Sequence, residues 1–401
     1  MSTRGNATRR RGGATTGAAL LLAGTMAITG CAAQEQATPL PPAPSSPSPS
    51  PSEPGDSAAP AEPVPAPAPD PGPVQPVGEP IQVATGLETP WSLAPLDSGS
   101  VLISERDTGR ILERTAAGDL REVGVIADTV PGGEGGLLGL DTLVDGDTTW
   151  LYAFHTSASD NRIVRMPLQG AAGALTLGAS ENVLTGIVKA GNHNGGRIAF
   201  GPDGMLYATT GDASIRTSSQ DPASLNGKIL RMTPAGAAPD DNPTAGSLVY
   251  SLGHRNPQGI AWDDDGQLWA AEFGQNTWDE FNRIEPGANY GWPVVEGVSD
   301  DPAYVNPAAQ WSTAEASPSG LAHVRGTFFL ASLRGQRVWA IYDGGATTVP
   351  WFQQTYGRIR DVAAGPDGTL WVLTSNTDGN GSPRDGDDQV IQVQLAPVQG
   401  R

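Results

Sequence analysis

An all-β fold, specifically a six-bladed β-propeller, is predicted by three observations. A polar Asp/Gly turn followed by a short apolar-alternating strand recurs six times along the chain. The copies lie roughly 40–60 residues apart, the period of propeller blades built from about four strands each. No helical periodicity competes, because Gly and β-branched residues are too frequent for a 3.6-residue apolar stripe to persist.

The first copy runs from Leu96 to Glu105, with Asp-Ser-Gly at its turn and Val-Leu-Ile in its strand. A looser second copy spans Val144 to Phe154 around Asp-Gly-Asp. The third, Gly201–Asp212, opens on Gly-Pro-Asp-Gly and continues into Leu-Tyr-Ala-Thr-Thr. The fourth, Trp262–Gly274, places Asp-Asp-Asp-Gly before Leu-Trp-Ala-Ala. The fifth, Val324–Leu333, is degenerate, and the sixth, Gly365–Thr374, returns to Gly-Pro-Asp-Gly. An unrelated array of strands in a sandwich would not need one phrase six times. Function in such folds resides in loops at one mouth of the central channel, so the fold alone does not assign an activity.

The propeller is expected over residues 80–401. Ahead of it the composition changes: 17 of the chain's 36 Pro fall between Cys31 and Pro80, in a Pro/Ala/Ser-rich stretch with few large apolar residues. Residues 31–79 are therefore expected to be an unfolded, polyproline-like tether. Residues 1–30 carry Arg4, Arg9, Arg10 and Arg11 without an acid, then an apolar run from Ala18 to Ile28, the pattern of an export signal. Ile28-Thr-Gly-Cys31 resembles a bacterial lipobox, and Cys31 is the only Cys in the chain. Lipidation there would hold the folded domain on the outer face of a bacterial membrane. A single Cys also excludes a disulfide scaffold.

The formal net charge is −19. Such a surface repels phosphate backbones, so nucleic-acid binding is not expected. Against this acidic background, three Gly-rich polar segments carry cations: Gly191–Arg197, Gly253–Gly259 and Gly357–Asp361. Each precedes or enters the first strand of a predicted blade, so all three are expected to converge on the channel mouth. Two-residue alternation puts Arg358 and Arg360 on one strand face, where their guanidinium forks suit bidentate binding of carboxylates. The alternative for Arg360 is a local ion pair with Asp361. Zinc-ligand spacing, a nucleotide-binding Gly-rich loop and a Gly-x-Ser-x-Gly elbow are all missing from the sequence.

These segments resemble the soluble pyrroloquinoline quinone (PQQ)-dependent sugar dehydrogenases, the glucose/sorbosone dehydrogenase group. The matching phrases are Gly133–Gly139, His193–Arg197, Leu225–Arg231, Gly253–Gly259, Asp279–Asn282, Asn289–Pro293 and Arg358–Asp361. The resemblance implies an enzyme that oxidises an aldose sugar at C1 to a lactone and passes electrons to an external acceptor. It marks His193 as catalytic base, with Asp212 beside it. It places Arg255, Asn256, Arg334, Arg358, Arg360 and Thr374 around PQQ, with Arg334 standing where the family has Lys. Glu134 and Asn192 are implied as substrate contacts, Asn192 replacing the Asp of glucose-specific members. No counterpart of the family's glucose-contacting insertion is evident in Gly297–Ser317, which leaves the preferred sugar open.

The same resemblance implies calcium. One ion would bridge PQQ and the backbone carbonyls of Gly274 and Gln275, as oxygen-seeking Ca²⁺ permits. Gln275 stands where the family has Pro, and Phe273 where it has Gln or His. A second, structural ion would use Asp279, Glu280 and Tyr290, whose alternative role is loop capping. Of the remaining polar residues, Glu105 and Arg106 are expected to be a solvated pair. His155, His254 and His323 are expected to be structural. Two other readings stay open: a propeller that has lost chemistry and serves as a cell-surface binding module, and a calcium-dependent lactonase.

Overall fold

The computed structural model describes residues 72–399. The export signal, Cys31 and most of the predicted tether lie outside the described residues. Among the described residues, six antiparallel sheets follow one another in chain order, five of four strands and one of five, with three short 3₁₀ turns as the only helical elements. This is the predicted six-bladed propeller.

Blade one comprises Pro90–Pro95, Val101–Glu105, Arg110–Arg114 and Leu120–Val125. The first strands of the later blades are Leu137–Asp145, Ile198–Phe200, Pro257–Trp262, Pro318–Val324 and Ile359–Ala364. In every blade the recurring phrase forms the turn between first and second strands plus the second strand. Its apolar character has a clear cause. The strands Val101–Glu105, Leu206–Thr210, Leu268–Glu272, Thr327–Ser332 and Leu370–Thr374 are buried at every residue. A strand with neighbours on both faces has no solvent side to alternate with.

Six apolar clusters fill the six blade–blade seams. Leu102, Leu137 and Leu151 join blades one and two, while Trp269, Phe281 and Phe328 join four and five through a stacked pair and an edge contact. Fully burying such a side chain contributes about 1.5–3 kcal/mol. The last blade is closed by the other end of the molecule. Strand Val74–Ala84 pairs antiparallel with Val390–Pro397, from Val74 against Pro397 to Ala84 against Val390. The folded unit thus includes Val74–Glu79, six residues assigned above to the tether. Pro73 and Pro76 disguise this strand in the sequence. Because it is the outermost strand of its sheet, a Pro there costs no ladder bond on the open side. The Thr327 hydroxyl fastens its start, accepting from the Val74 amide (2.8 Å) and donating to its carbonyl (2.9 Å).

One polar network in the channel touches all six inner strands. The Arg197 guanidinium, just ahead of blade three's first strand, binds Asp361 of blade six (2.9 Å), Ser92 Oγ of blade one (3.0 Å) and the Gln258 carbonyl of blade four (3.0 Å). Asp361 also accepts the Leu93 amide, and Ser92 Oγ accepts the Leu140 amide of blade two. The Gln258 side-chain carbonyl accepts from Arg360 Nη1 and from Ser319 Oγ of blade five. Gly320 is required beside it, since a Cβ would stand 1.9 Å from Asp361 Oδ1. The sequence alternative of an Arg360–Asp361 pair is overturned: neighbours on a strand face opposite sides, and Asp361 points to Arg197 instead. Removing one member of a buried ion pair leaves the other unpaired, which costs about 3–5 kcal/mol. Asp361→Ala is therefore expected to lower the thermal midpoint markedly. A midpoint within about a degree of wild type would show that the network does not tie the blades.

Candidate active site

The three expected segments, before the first strands of blades three, four and six, meet at one channel mouth, and the loop before blade two joins them. They enclose a cavity of about 370 Å³ lined by Trp91, Arg106, Glu134, Gln258, Arg358 and Arg360, among others. Hollows of similar volume, about 380 and 350 Å³, lie beside blades one and two, away from these loops.

The cavity is cationic by construction. Arg358 and Arg360 share the face predicted for them and converge on Asp378, at 2.8 and 3.5 Å. Burial alone would raise the Asp378 carboxyl; the Arg360 and Arg358 charges hold it below the usual range. Burial, opposed by Asp378 and reinforced by Arg358 and Arg106, brings Arg360 down to about 10. Three guanidinium groups thus face two carboxylates, Asp378 and Glu134. The Trp91 ring lies 5.9 Å from the Arg360 guanidinium and 4.4 Å from that of Arg197. Among the described residues, Arg360 Nε and Arg255 Nε are buried donors without a hydrogen-bond partner. An anionic ligand with several carboxylates would satisfy such groups.

His193 is tied to the lining of this cavity through Glu134 and lies two residues from Gly191, which also lines it. Its amide donates to Glu134 Oε2 (2.7 Å), and its Nδ1 is 2.8 Å from Asp212 Oδ1. Asp212 is fully buried, and its other oxygen accepts the Trp292 indole N–H at 2.8 Å. Burial would raise the Asp212 carboxyl, yet hydrogen bonds from His193 and Trp292 keep it below the ordinary range. An ionised carboxylate only accepts, so His193 Nδ1 carries the proton and Nε2 is the basic nitrogen. The backbone is tightly specified: His193 has φ 57°, and a Cβ on Gly211 would lie 2.0 Å from the His193 carbonyl. Such a positive φ in a non-Gly residue is held only by its surroundings. Asn194 holds the turn with both ends of its amide on Ala190.

The other predicted residues fall into two groups. Asn256 belongs to the site, its Oδ1 accepting the Gly195 amide and its Nδ2 reaching Glu134. Arg255 donates to the Gly274 carbonyl (2.7 Å) and lies 5.5 Å from the Trp292 ring. Asn192 is exposed and accepts from Ser214 Oγ. Thr374 is not free for a ligand: its hydroxyl donates to Asp388 and accepts the Gln389 amide. Arg334 is exposed and makes no hydrogen bond or ion pair among the described residues, although adjacent Leu333 lines the cavity. Glu105 and Arg106 are buried rather than solvated and do not pair with each other; Glu105 binds Arg110 and Arg106 binds Asp107. Their strand end is covered by the cavity loops, which the local sequence does not reveal. His254 is the packed core His expected, between Ser251 and Glu272 and stacked on Tyr290.

Among the described residues no group of three or more His, Cys, Asp or Glu has metal-binding geometry. Asp279 caps loops, accepting the Gly274 and Ser317 amides. The Gln275 side-chain carbonyl accepts from Arg216. The Tyr290 hydroxyl is committed to the Arg283 carbonyl and the Glu285 amide. Nevertheless Glu272, Glu280 and Glu296 border one small void with Gly274 and Tyr290. Burial, then the Glu272 charge, pushes Glu280 up to about 7, and burial pushes Asp279 up to about 6.

Sequence reasoning missed Trp91, Arg106, Asp378 and Trp292 as site residues. Only Trp292 lay inside a singled-out phrase, Asn289–Pro293. Asp378 sits in a Gly/Asn/Asp loop without any distinguishing local pattern.

The mouth of the propeller thus sets a carboxylate-oriented His beside converging guanidinium groups. The chain belongs to the Glucose / Sorbosone dehydrogenase family, whose sequence profile matches residues 87–382. It is similar to the aldose sugar dehydrogenase of Streptomyces coelicolor, solved in its PQQ-bound form. The two share 49% identity over 82% of this chain and 99% of that one, with a TM-score of 0.77. It is likewise similar to an oxidoreductase (glucose dehydrogenase) of Thermus thermophilus, at 43% identity over 79% of this chain and 99% of that one, TM-score 0.72. The aldose sugar dehydrogenase YliI of Escherichia coli is 28% identical over 73% of this chain and 89% of its own length.

The raised Glu280 carboxyl gives a pH test. Its folded pKa of about 7 lies above the ordinary 4.5, so ionising it costs the folded state more than the unfolded. The cost is absent below about pH 4.5 and complete above about pH 7. In chelator, Glu280→Gln is expected to melt higher than wild type at about pH 8 and at the same temperature near pH 4.5. Equal midpoints at both pH values would mean that the Glu280 carboxylate carries no penalty.

Proposed function

We propose that this chain is a PQQ-dependent aldose dehydrogenase that oxidises the sugar at C1 to a lactone and hands electrons to an external acceptor. The observation that carries the reading is the His193–Asp212 pair set beside a cavity of converging guanidinium groups. The residues fit the cofactor: Arg360 Nε and Arg255 Nε are buried donors awaiting acceptors, and Arg358, Arg360 and Arg106 face the cavity. These, with Arg255, would hold its carboxylates. When bound, PQQ supplies an ortho-quinone that accepts hydride.

The chain's own residues supply the rest. His193 Nε2 takes the proton of the C1 hydroxyl, and its imidazolium is balanced by the ionised Asp212 on Nδ1. The Ser214 amide donates to the same Asp212 oxygen that serves His193. Glu134 fixes the His193 backbone and offers its half-buried carboxylate to sugar hydroxyls. The exposed Asn192 stands ready as a substrate contact. Trp91 and the Arg197 network close the channel below the cavity.

Calcium is part of this reading. The Gly274 carbonyl, expected as a ligand, accepts from Arg255, so an ion there would take over a place held by a guanidinium charge. At the second position, expected at Asp279, Glu280 and Tyr290, only Glu280 borders the void with Tyr290, together with Glu272, Glu296 and the Arg255 cation. Such crowded carboxylates are relieved by a cation.

His193→Ala is expected to bind PQQ as wild type does and to lose about 10²–10⁴ in turnover, the scale of a general base. Absorbance of the reconstituted protein before and after adding aldose measures both. Near-wild-type turnover would end the assignment of His193 as base, and PQQ binding by the wild-type protein without reduction by any aldose would favour the binding-module reading.

The proposal extends to location: a lipoprotein held through Cys31 on the outer face of a bacterial membrane. Cys31→Ser should release the protein from membrane fractions with unchanged kinetics. Undiminished membrane association would sink the anchor.

A further inference from the structure

Beyond the base and its carboxylate, the indole of Trp292 occupies an unusual junction. Its Nε1–H donates to Asp212 Oδ2 at 2.8 Å, while the opposite carboxylate oxygen serves His193. The same ring lies 5.5 Å from the Arg255 guanidinium and 5.1 Å from that of Arg216. Such distances are those of cation–π attraction. Its backbone is equally constrained. The Trp292 amide donates to the Gly253 carbonyl, one residue from His254. Its carbonyl accepts from Gln220 Nε2 (2.7 Å), and that amide is locked in a reciprocal pair with Asn289 (3.0 and 2.7 Å). Only 7% of the residue is exposed.

We propose that Trp292 is a positioning residue for the His193–Asp212 pair, its indole N–H setting the Asp212 carboxylate and its ring carrying Arg255. The physical reason is the freedom that Asp212 would otherwise have. A carboxylate turns about its last torsion between two nearly equivalent arrangements. Oδ1 is shared by His193 Nδ1 and the Ser214 amide, so rotation would break two bonds at once. A donor fixed on Oδ2 removes that rotation. The ring also links this pair to Arg255, the cation that donates to the Gly274 carbonyl. The groups facing the pair are Glu134 on the His193 amide, Arg255 near Asp212, and Asn256 between Glu134 and Gly195.

The inference rests on the proposed role of His193, and the test separates the two. The chain contains four His, so histidine-selective ¹⁵N labelling gives a simple spectrum in the cofactor-free protein. In Trp292→Phe, which keeps a ring and removes the donor, the His193 Nδ1–H signal is expected to shift or broaden. The Nδ1–H signal of His254, held by Glu272, reports retention of the fold. In the reconstituted variant kcat should fall about ten- to a hundredfold, the scale of one charge-assisted hydrogen bond, with KM within about twofold. Gln220→Ala leaves the indole in place and frees its carbonyl; it should move the same signal in the same direction by less, and it serves if the Phe variant does not fold. An unchanged His193 signal with kcat within about twofold of wild type would overturn the proposal. A shifted signal with unchanged kcat would uphold the positioning role and refute His193 as the base.

Discussion

A buried contact between Arg197 and Asp361 sets the register of the whole propeller. It crosses the channel from blade three to blade six. Through Ser92, Leu93, Leu140, Gln258 and Ser319 its hydrogen bonds reach the other four blades. A buried ion pair is a poor source of net stability, because desolvating both charges offsets most of their attraction. Its value here is registry. Inner strands that could otherwise slide along the channel are held by donors and acceptors that match in one arrangement only. Burial raises the Asp361 carboxyl, and the Arg197 charge and the Leu93 amide oppose that shift.

Registry at the floor places the chemistry above it. Arg197 closes the loop that begins at Gly191, so fixing its guanidinium fixes the turn carrying His193. Asp361 does the same for Arg358 and Arg360, whose side chains then meet at Asp378. Trp91 lies near the guanidinium groups of Arg197 and Arg360, as a spacer between floor and cavity. The acidic surface and the cationic mouth are therefore compatible. The net charge of −19 is a sum over the whole chain, while the guanidinium groups collect where the inner strands begin.

The seams tolerate variation that the channel does not. Each blade–blade cluster is a mixture of aliphatic and aromatic side chains, and the recurring phrase is degenerate in blades two and five without loss of the blade. Volume and apolarity suffice for a sheet packed against a sheet. The mouth, by contrast, is built from particular donors and acceptors, each with a named partner.

The number of blades and the position of the inner hairpin in each were legible in the chain itself, because a strand buried on both faces must be apolar and its turn must be polar. So was the convergence of the segments carrying His193, Asn256, Arg358 and Arg360, since all lie on loops that open first strands, whereas Asp212, after Leu206–Thr210, was placed beside His193 by the family resemblance. Which carboxylate each cation meets was settled by folding alone. Asp378 lies 18 residues beyond Arg360 in a featureless loop, and Asp361, the immediate neighbour of Arg360, faces the other way. Closure of the last blade by Val74–Ala84 was hidden for a related reason: an edge strand needs few ladder bonds and admits Pro, so its local pattern reads as tether. Periodicity records what a residue shares with its own strand, whereas a channel network records what it meets from strands far away along the chain.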